Sequence, residues 1–291
     1  MARIGRASIG RGLAAKVMGV INVSPESFYK GSVRTTDQEI AAAAREMQQD
    51  GAHIIDVGAM STAPYLETII PIEEEAKRMI RAIKIIKSAC GLPISADTPR
   101  AAVAERAIAA GADAINDVTG LKYDNKMAGI VAKAGVPVIV GAYSRSPATT
   151  GKMPGTVRAL RESIALAKKA GVKEEDDDDD GSIIVDPSIG FFRQEGKNPF
   201  FTKMVDLPWY TRDIEVLLNL NKLAILKKPV CVSVSRKSFI GHLLNLQNAE
   251  ERLVPSVVCE AMAALSGASI IRTHNVKETV QALTMLQLLT P

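Results

Sequence analysis

Aromatic side chains are scarce in this 291-residue sequence, at 4% with a single tryptophan. A core with few rings must be filled by small and branched aliphatics, and the abundant Ala, Ile and Val suit parallel strands packed against helices. Cysteine is equally sparse: Cys90, Cys231 and Cys259 are odd in number, far apart and form no CxxC pair. That excludes a disulfide framework and a cysteine zinc site, and predicts buried free thiols in a reducing compartment. The three histidines, His53, His242 and His274, have no metal-site spacing. Long apolar runs are missing too. Residues 13–23 are apolar but contain Lys16 and are too short to span a bilayer, so a cytoplasmic protein with no membrane partner is expected. Charge of one sign does not dominate. The 36 basic and 32 acidic residues are spread along the chain without a basic stripe, which argues against a nucleic-acid partner. The mild positive balance favours an anionic substrate.

What the sequence has is a rhythm. Short β-branched runs at 16–22, 53–58, 93–97, 113–117, 137–142, 182–186, 229–234 and 269–273 alternate with helical patterns near 36–50, 72–88, 99–110, 124–134, 156–171, 212–226, 250–266 and 275–289. Thr36 is placed to cap the first helix, and Gly111, Gly135, Gly171 and Gly267 follow helical runs as C-terminal glycines do. Eight βα units with strands apolar on both faces predict a single-domain α/β fold over residues 1–291, a (β/α)8 TIM barrel. A doubly wound open sheet is the alternative.

Two segments break the rhythm. Residues 173–181 carry seven consecutive acids (174–180). They read as a solvated loop at the bottom of the barrel; they lack the spaced ligands and turn glycine of a calcium loop. Residues 187–212 form a long loop after the sixth strand, holding Trp209 and four of the six phenylalanines. On that face a long loop shapes substrate access.

Polar residues gather where the strands end: Asn22, then Asp56 with Ser61 and Thr62, then Asp97, Asn116, Asp186, Ser235-Arg236-Lys237, Arg272 and His274. Any one of them alone also reads as a loop or helix cap. As a set, carboxylates and amides converging on one mouth need partners. Asp97, Asp186 and Asn116 suit a flat heterocycle with an amidine- or guanidine-like edge. Asn22, Arg272 and His274 suit an anion, and Lys237 sits between the two groups.

At these residues the chain resembles the dihydropteroate synthases and, more widely, the pterin-binding barrel superfamily. MGVINVSPESF (18–28), IIDVGAMSTAP (54–64), ADTPRAAVAERAIAAGADAINDVTG (96–120), IIVDPSIGF (183–191), SVSRKSFIG (233–241) and IIRTHNV (270–276) carry the resemblance in order and at the expected intervals. It implies a transferase that joins a dihydropterin-CH2-diphosphate to an aryl amine, p-aminobenzoate or a derivative, and expels pyrophosphate in folate or tetrahydromethanopterin biosynthesis. It further implies that Asp97, Asn116, Asp186 and Lys237 bind the pterin, with Asp97 and Lys237 catalytic. Asn22, Arg272 and His274 would hold the diphosphate, Asn22 beside a Mg²⁺ ion, while Thr62 and Ser235 line the approach of the amine. A homodimer through the last helices is also implied.

The departures are local. Ala63 stands where the family has arginine, Tyr65 is added, Ala142-Tyr143-Ser144 replaces a Met-His-Met pattern, and Ser188 and Ser233 occupy usual glycine positions. These changes predict that p-aminobenzoate is a poorer substrate than a larger or phosphorylated amine. The competing functions are a methyl-tetrahydropterin:corrinoid methyltransferase, which shares the Asp/Asn site but needs neither the Arg-x-His pair nor SRKS, and a non-catalytic pterin-binding barrel.

Overall fold

The computed structural model describes residues 1–10, 12–27, 29–147, 152–173 and 181–289. Eight parallel strands form its centre: β1 (Lys16–Asn22), β2 (Ile54–Gly58), β3 (Ile94–Asp97), β4 (Ala114–Asp117), β5 (Val138–Gly141), β6 (Ile183–Asp186), β7 (Cys231–Val232) and β8 (Ile270–Thr273). They pair in the order β7-β8-β1-β2-β3-β4-β5-β6. A parallel bridge from Val185 to Val230, with the Val185 amide donating to Pro229 O at 3.0 Å, joins β6 to the start of β7 and closes the barrel.

The helices are α1 (Asp37–Gln49), α2 (Ile72–Ala89), α3 (Ala101–Ala110), α4 (Met127–Ala134), α5 (Met153–Ala170), α6 (Trp209–Leu218), α7 (Ser238–Leu244), α8 (Leu253–Leu265) and α9 (Val276–Leu289). Thr36 closes a capping box with Glu39 at the start of α1, and Gly111, Gly135 and Gly171 end α3, α4 and α5 in the left-handed conformation. The helical pattern near 212–226 divides into α6 and a 3-10 turn over Leu220–Leu226. Between them, Asn219 Nδ2 donates to Glu215 O at 2.8 Å, competing for a helix carbonyl.

Side chains alternate across each strand, so outward residues such as Ile55, Val57, Ile115, Val138 and Val140 join the helices in one extensive core. Inward residues form a second core: Met18, Ile54, Ala114, Ile139, Ile184, Cys231 and Ile270 pack with Ala2, Ile4, Ala7 and Ile9. Those last four belong to an N-terminal antiparallel hairpin, Ala2–Ile4 with Ala7–Ile9, that plugs the bottom of the barrel. The hairpin goes unread in the sequence, because three-residue strands carry too little periodicity to register.

The acidic run 174–180 lies outside the described residues; Gly181, just after it, bridges Ala2 at the barrel bottom. All three cysteines are free, with Cys231 buried and Cys90 and Cys259 half-buried. No described helix is long and apolar enough to cross a membrane.

Candidate active site

One layer above the inward apolar core, the alternation turns Asp56 on β2, Asn116 on β4 and Arg272 on β8 into the barrel. Arg272 Nε donates to Asp56 Oδ2 at 2.7 Å and its Nη2 donates to Asp97 Oδ2 at 2.8 Å. Asn116 Nδ2 donates to the same Asp56 oxygen at 3.2 Å. Asp56 is fully buried, and its Oδ1 has no hydrogen-bond partner. Burial works against the Arg272 charge, yet Asp56 and Asp97 outweigh it and hold the guanidinium firmly protonated. Burial, against the pull of Arg272 and with the Asp56 charge nearby, pushes the Asp97 carboxyl up to about 7.

Around this floor the mouth closes to a cavity of about 70 Å³ bordered by Asn22, Thr62, Asp97, Lys237, Arg272 and His274. Lys237 places its Nζ 4.5 Å from the centroid of the Phe191 ring. Burial and the charge of Arg272, opposed by Asp186 and Asp213, lower its pKa to about 8. His274 packs its ring edge-on against Tyr29 at 5.2 Å between centroids, and burial with the neighbouring Arg272 and Lys237 charges keeps it neutral. Asp186 accepts from the Ser188 amide at 2.6 Å, and burial raises its pKa against that bond and the Lys237 charge. The wider cavity on the barrel flank, about 650 Å³ and lined by Lys122, Arg145 and Glu162 among others, contains none of the strand-tip residues. Chemistry therefore belongs to the small mouth.

Residues 18–274 match the family model described as pterin binding enzyme. The sequence is 35% identical to the dihydropteroate synthase of Bacillus subtilis over 270 residues, covering 93% of this chain and 87% of that one. It is 33% identical to the Escherichia coli enzyme of the same name, over 93% of this chain and 90% of that one. Among solved structures, the Clostridium difficile dihydropteroate synthase determined in the presence of pteroic acid superposes with a TM-score of 0.81 at 32% identity, covering 96% of this chain and 98% of that one. The chain belongs to the dihydropteroate synthase family.

As a member of that transferase family, the chain departs from its sequence reading at several positions. Arg272 is not a cation reserved for an anion: its guanidinium is bonded to two carboxylates, one of them Asp97 on the heterocycle side. Ser235 does not line the mouth. It is fully buried, its Oγ accepts from the His274 amide at 3.2 Å, and it fixes the start of the loop after β8. Asn116 and Asp186 sit behind the mouth's border, Asn116 through its bond to Asp56. Tyr143 and Ser144 face away from the mouth. The Tyr143 hydroxyl donates to Pro199 O at 3.1 Å, and the Ser144 amide donates to Thr202 Oγ1 at 2.9 Å. Only Ala63 and Tyr65, of the altered residues thought to face the amine, border the cavity.

Two residues of the site are given no role in the sequence reading. Asp56 is visible there as a strand tip, but a lone Asp reads as a cap until its packing under Arg272 is seen. Arg193 reaches the mouth from the long loop after β6, and no spacing marks it. That loop is tied across the opening: Asn198 Nδ2 donates to Ala63 O at 2.7 Å and the Lys197 amide to Pro64 O at 2.7 Å.

The donors available to a metal are few. Among the described residues no group of three His, Cys, Asp or Glu stands ready to hold one. Asn22 Nδ2 donates to Ser32 Oγ at 2.7 Å, leaving Oδ1 over Gly58, where an added Cβ would meet it at 2.8 Å. A single neutral oxygen fits an Mg²⁺ ion that arrives on a diphosphate and keeps most of its waters, rather than a resident ion in a protein cage.

Proposed function

We propose that this protein joins a 7,8-dihydropterin bearing a CH2-diphosphate to 4-aminobenzoate. The amine nitrogen forms a bond to the methylene carbon, the carbon–oxygen bond to diphosphate breaks, pyrophosphate leaves and the nitrogen gives up a proton. The observation that carries this reading is the Asp56–Arg272–Asp97 network with Lys237 beside it, inside a chain of this family. Asp97, Asn116 and Asp186 take the amidine-like edge of the pterin, and Lys237 lies beside its ring. Asn22 and His274 face the diphosphate, with Arg272 linking the two subsites. Asn22 Oδ1 would hold an Mg²⁺ ion brought in on the diphosphate, and that ion would supply charge neutralisation when bound. Thr62 borders the path of the amine.

Positive charge develops on the pterin methylene as pyrophosphate departs, and the buried carboxylates are already in place to stabilise it. Lys237 and Arg272 meet the negative charge of the leaving group. The choice of 4-aminobenzoate is supported by relatives such as the Xanthomonas albilineans dihydropteroate synthase solved with 4-aminobenzoic acid, and by the removal of Tyr143 and Ser144 from the mouth. A homodimer belongs to the same proposal: α8 and α9 expose Val254, Val258, Leu265, Met285, Leu288 and Leu289, an apolar face suited to a second copy. The test is pyrophosphate release from the pterin diphosphate. Release that requires the amine supports the reading; no release, or methyl transfer from a methyl-tetrahydropterin, overturns it.

A further inference from the structure

Arg193, like Lys237, is a mouth cation joined to no carboxylate by the hydrogen bonds and ion pairs described. Its residue is 6% exposed, yet it borders the cavity alongside Ala63, Tyr65 and Ser238. The guanidinium is held in place on two sides. It stacks 3.7 Å above the Trp209 ring, and its Nη2 donates to Ser238 Oγ at 2.7 Å. Nη1 donates to nothing. Asp213 acts on Arg193 electrostatically, but no hydrogen bond joins the two: Oδ1 accepts from the Gly190 amide at 2.9 Å and lies 3.4 Å from Arg212 Nη1, while Oδ2 has no hydrogen-bond partner. Burial consequently presses Arg193 toward deprotonation. A buried charged donor left unsatisfied is costly unless something else completes it.

We infer that Arg193 is a specificity-determining residue, whose free Nη1 anchors the carboxylate of the amine substrate. This inference rests on the reaction proposed above. Arg193 rises from the loop after β6, whereas Asn22 and His274 stand at the ends of β1 and β8, so the two anion sites occupy different parts of the rim of one cavity. That separation suits an amine presenting nitrogen to the pterin methylene and a carboxylate at the far end of its ring. The planar guanidinium matches a carboxylate, and a site built to satisfy a charged group rejects an analogue that lacks it.

The experiment measures pyrophosphate release by the full-length protein with 4-aminobenzoate and with its neutral analogue 4-aminobenzamide. Wild type should show a KM at least tenfold lower for the benzoate. Arg193→Gln should raise the benzoate KM tenfold or more, leave the benzamide KM within about twofold, and leave kcat for both nearly unchanged. Arg193→Lys should restore part of the discrimination. A structural role would shift both amines together, and that result overturns the inference. If Arg193→Gln does not fold, the wild-type comparison still decides, since equal KM values for the two amines contradict a carboxylate anchor. Turnover without discrimination removes this inference alone, whereas no turnover with any amine removes the proposed reaction and this inference with it.

Discussion

Arg272 carries two loads at once, and its substitution separates this account from a two-subsite picture. Removing it leaves Asp56, fully buried, and Asp97, largely buried, without their shared cation. Breaking a buried pair by deleting one partner costs about 3–5 kcal/mol. Arg272→Ala is therefore expected to lose stability on that scale in chemical unfolding, and to weaken binding of a pterin without diphosphate as well as one with it. Retained affinity for the bare pterin would place Arg272 in the diphosphate site alone. Lys237 gives a prediction in pH. Burial lowers its pKa to about 8, so the ammonium is fully present well below that value and is lost as pH rises through it. Affinity for the pterin diphosphate should fall correspondingly above pH 8, and Lys237→Arg, whose guanidinium stays charged, should flatten the decline. An unchanged profile in the variant would assign the titration to another group. At this scale the sequence is half legible. Asn22, Thr62, Asp97, Lys237, Arg272 and His274 are visible as polar ends of apolar strands, and the structure brings them to one cavity. Their partners are not visible, because which carboxylate lies under which guanidinium depends on strand stagger and not on residue type.

At the scale of elements, the turn after β6 orders the site at the cost of backbone strain. Ser188 adopts φ +54°, a left-handed conformation that costs a serine on the order of 1–2 kcal/mol, and its buried Oγ has no hydrogen-bond partner. In return, its amide bonds Asp186 and its carbonyl accepts from Phe191 and from Arg212. Gly141 opposite must stay small: a Cβ there would lie 2.1 Å from Val118 O and 2.8 Å from Ser188 Oγ. Ser188→Gly is expected to stabilise the protein by about 1 kcal/mol, raising Tm by roughly 2–4 °C, without loss of pterin affinity. A lower Tm would mean that the hydroxyl makes a contact worth more than the strain. The loops after β1 and β2 face a different demand. A mouth of about 70 Å³ is far below the roughly 300–1,000 Å³ of ordinary ligand sites, so they must part to admit a fused bicyclic ring. Strand β7 was overdrawn in the sequence for a related reason. PVCVSV has six residues of strand-like composition, but only Cys231–Val232 pair as a strand, because the chain then turns through Ser235 and Arg236, the latter at φ +55°, to start α7.

Across the whole molecule, the alternation of β and α patterns predicted the barrel, since eight βα units whose strands are apolar on both faces bury them by closing the sheet on itself. The hairpin that fills its lower end is short and local in sequence, so its role emerges only when Ile4 and Ile9 are seen packed against Met18 and Ile54. The apolar face of α8 and α9 supports a dimer, and sedimentation should give a species of twice the 31.1 kDa chain; a monomer at micromolar concentration would remove the dimer from the proposal. The central claim, that the strand tips surrounding Arg272 form a pterin site, is tested most directly by calorimetric titration of 6-hydroxymethylpterin, which carries no diphosphate, into wild type and Asp186→Asn. The account predicts a folded variant whose affinity is lower by about 2–4 kcal/mol, the loss expected when a buried charge-assisted hydrogen bond loses its carboxylate. Equal affinities for wild type and variant would contradict it.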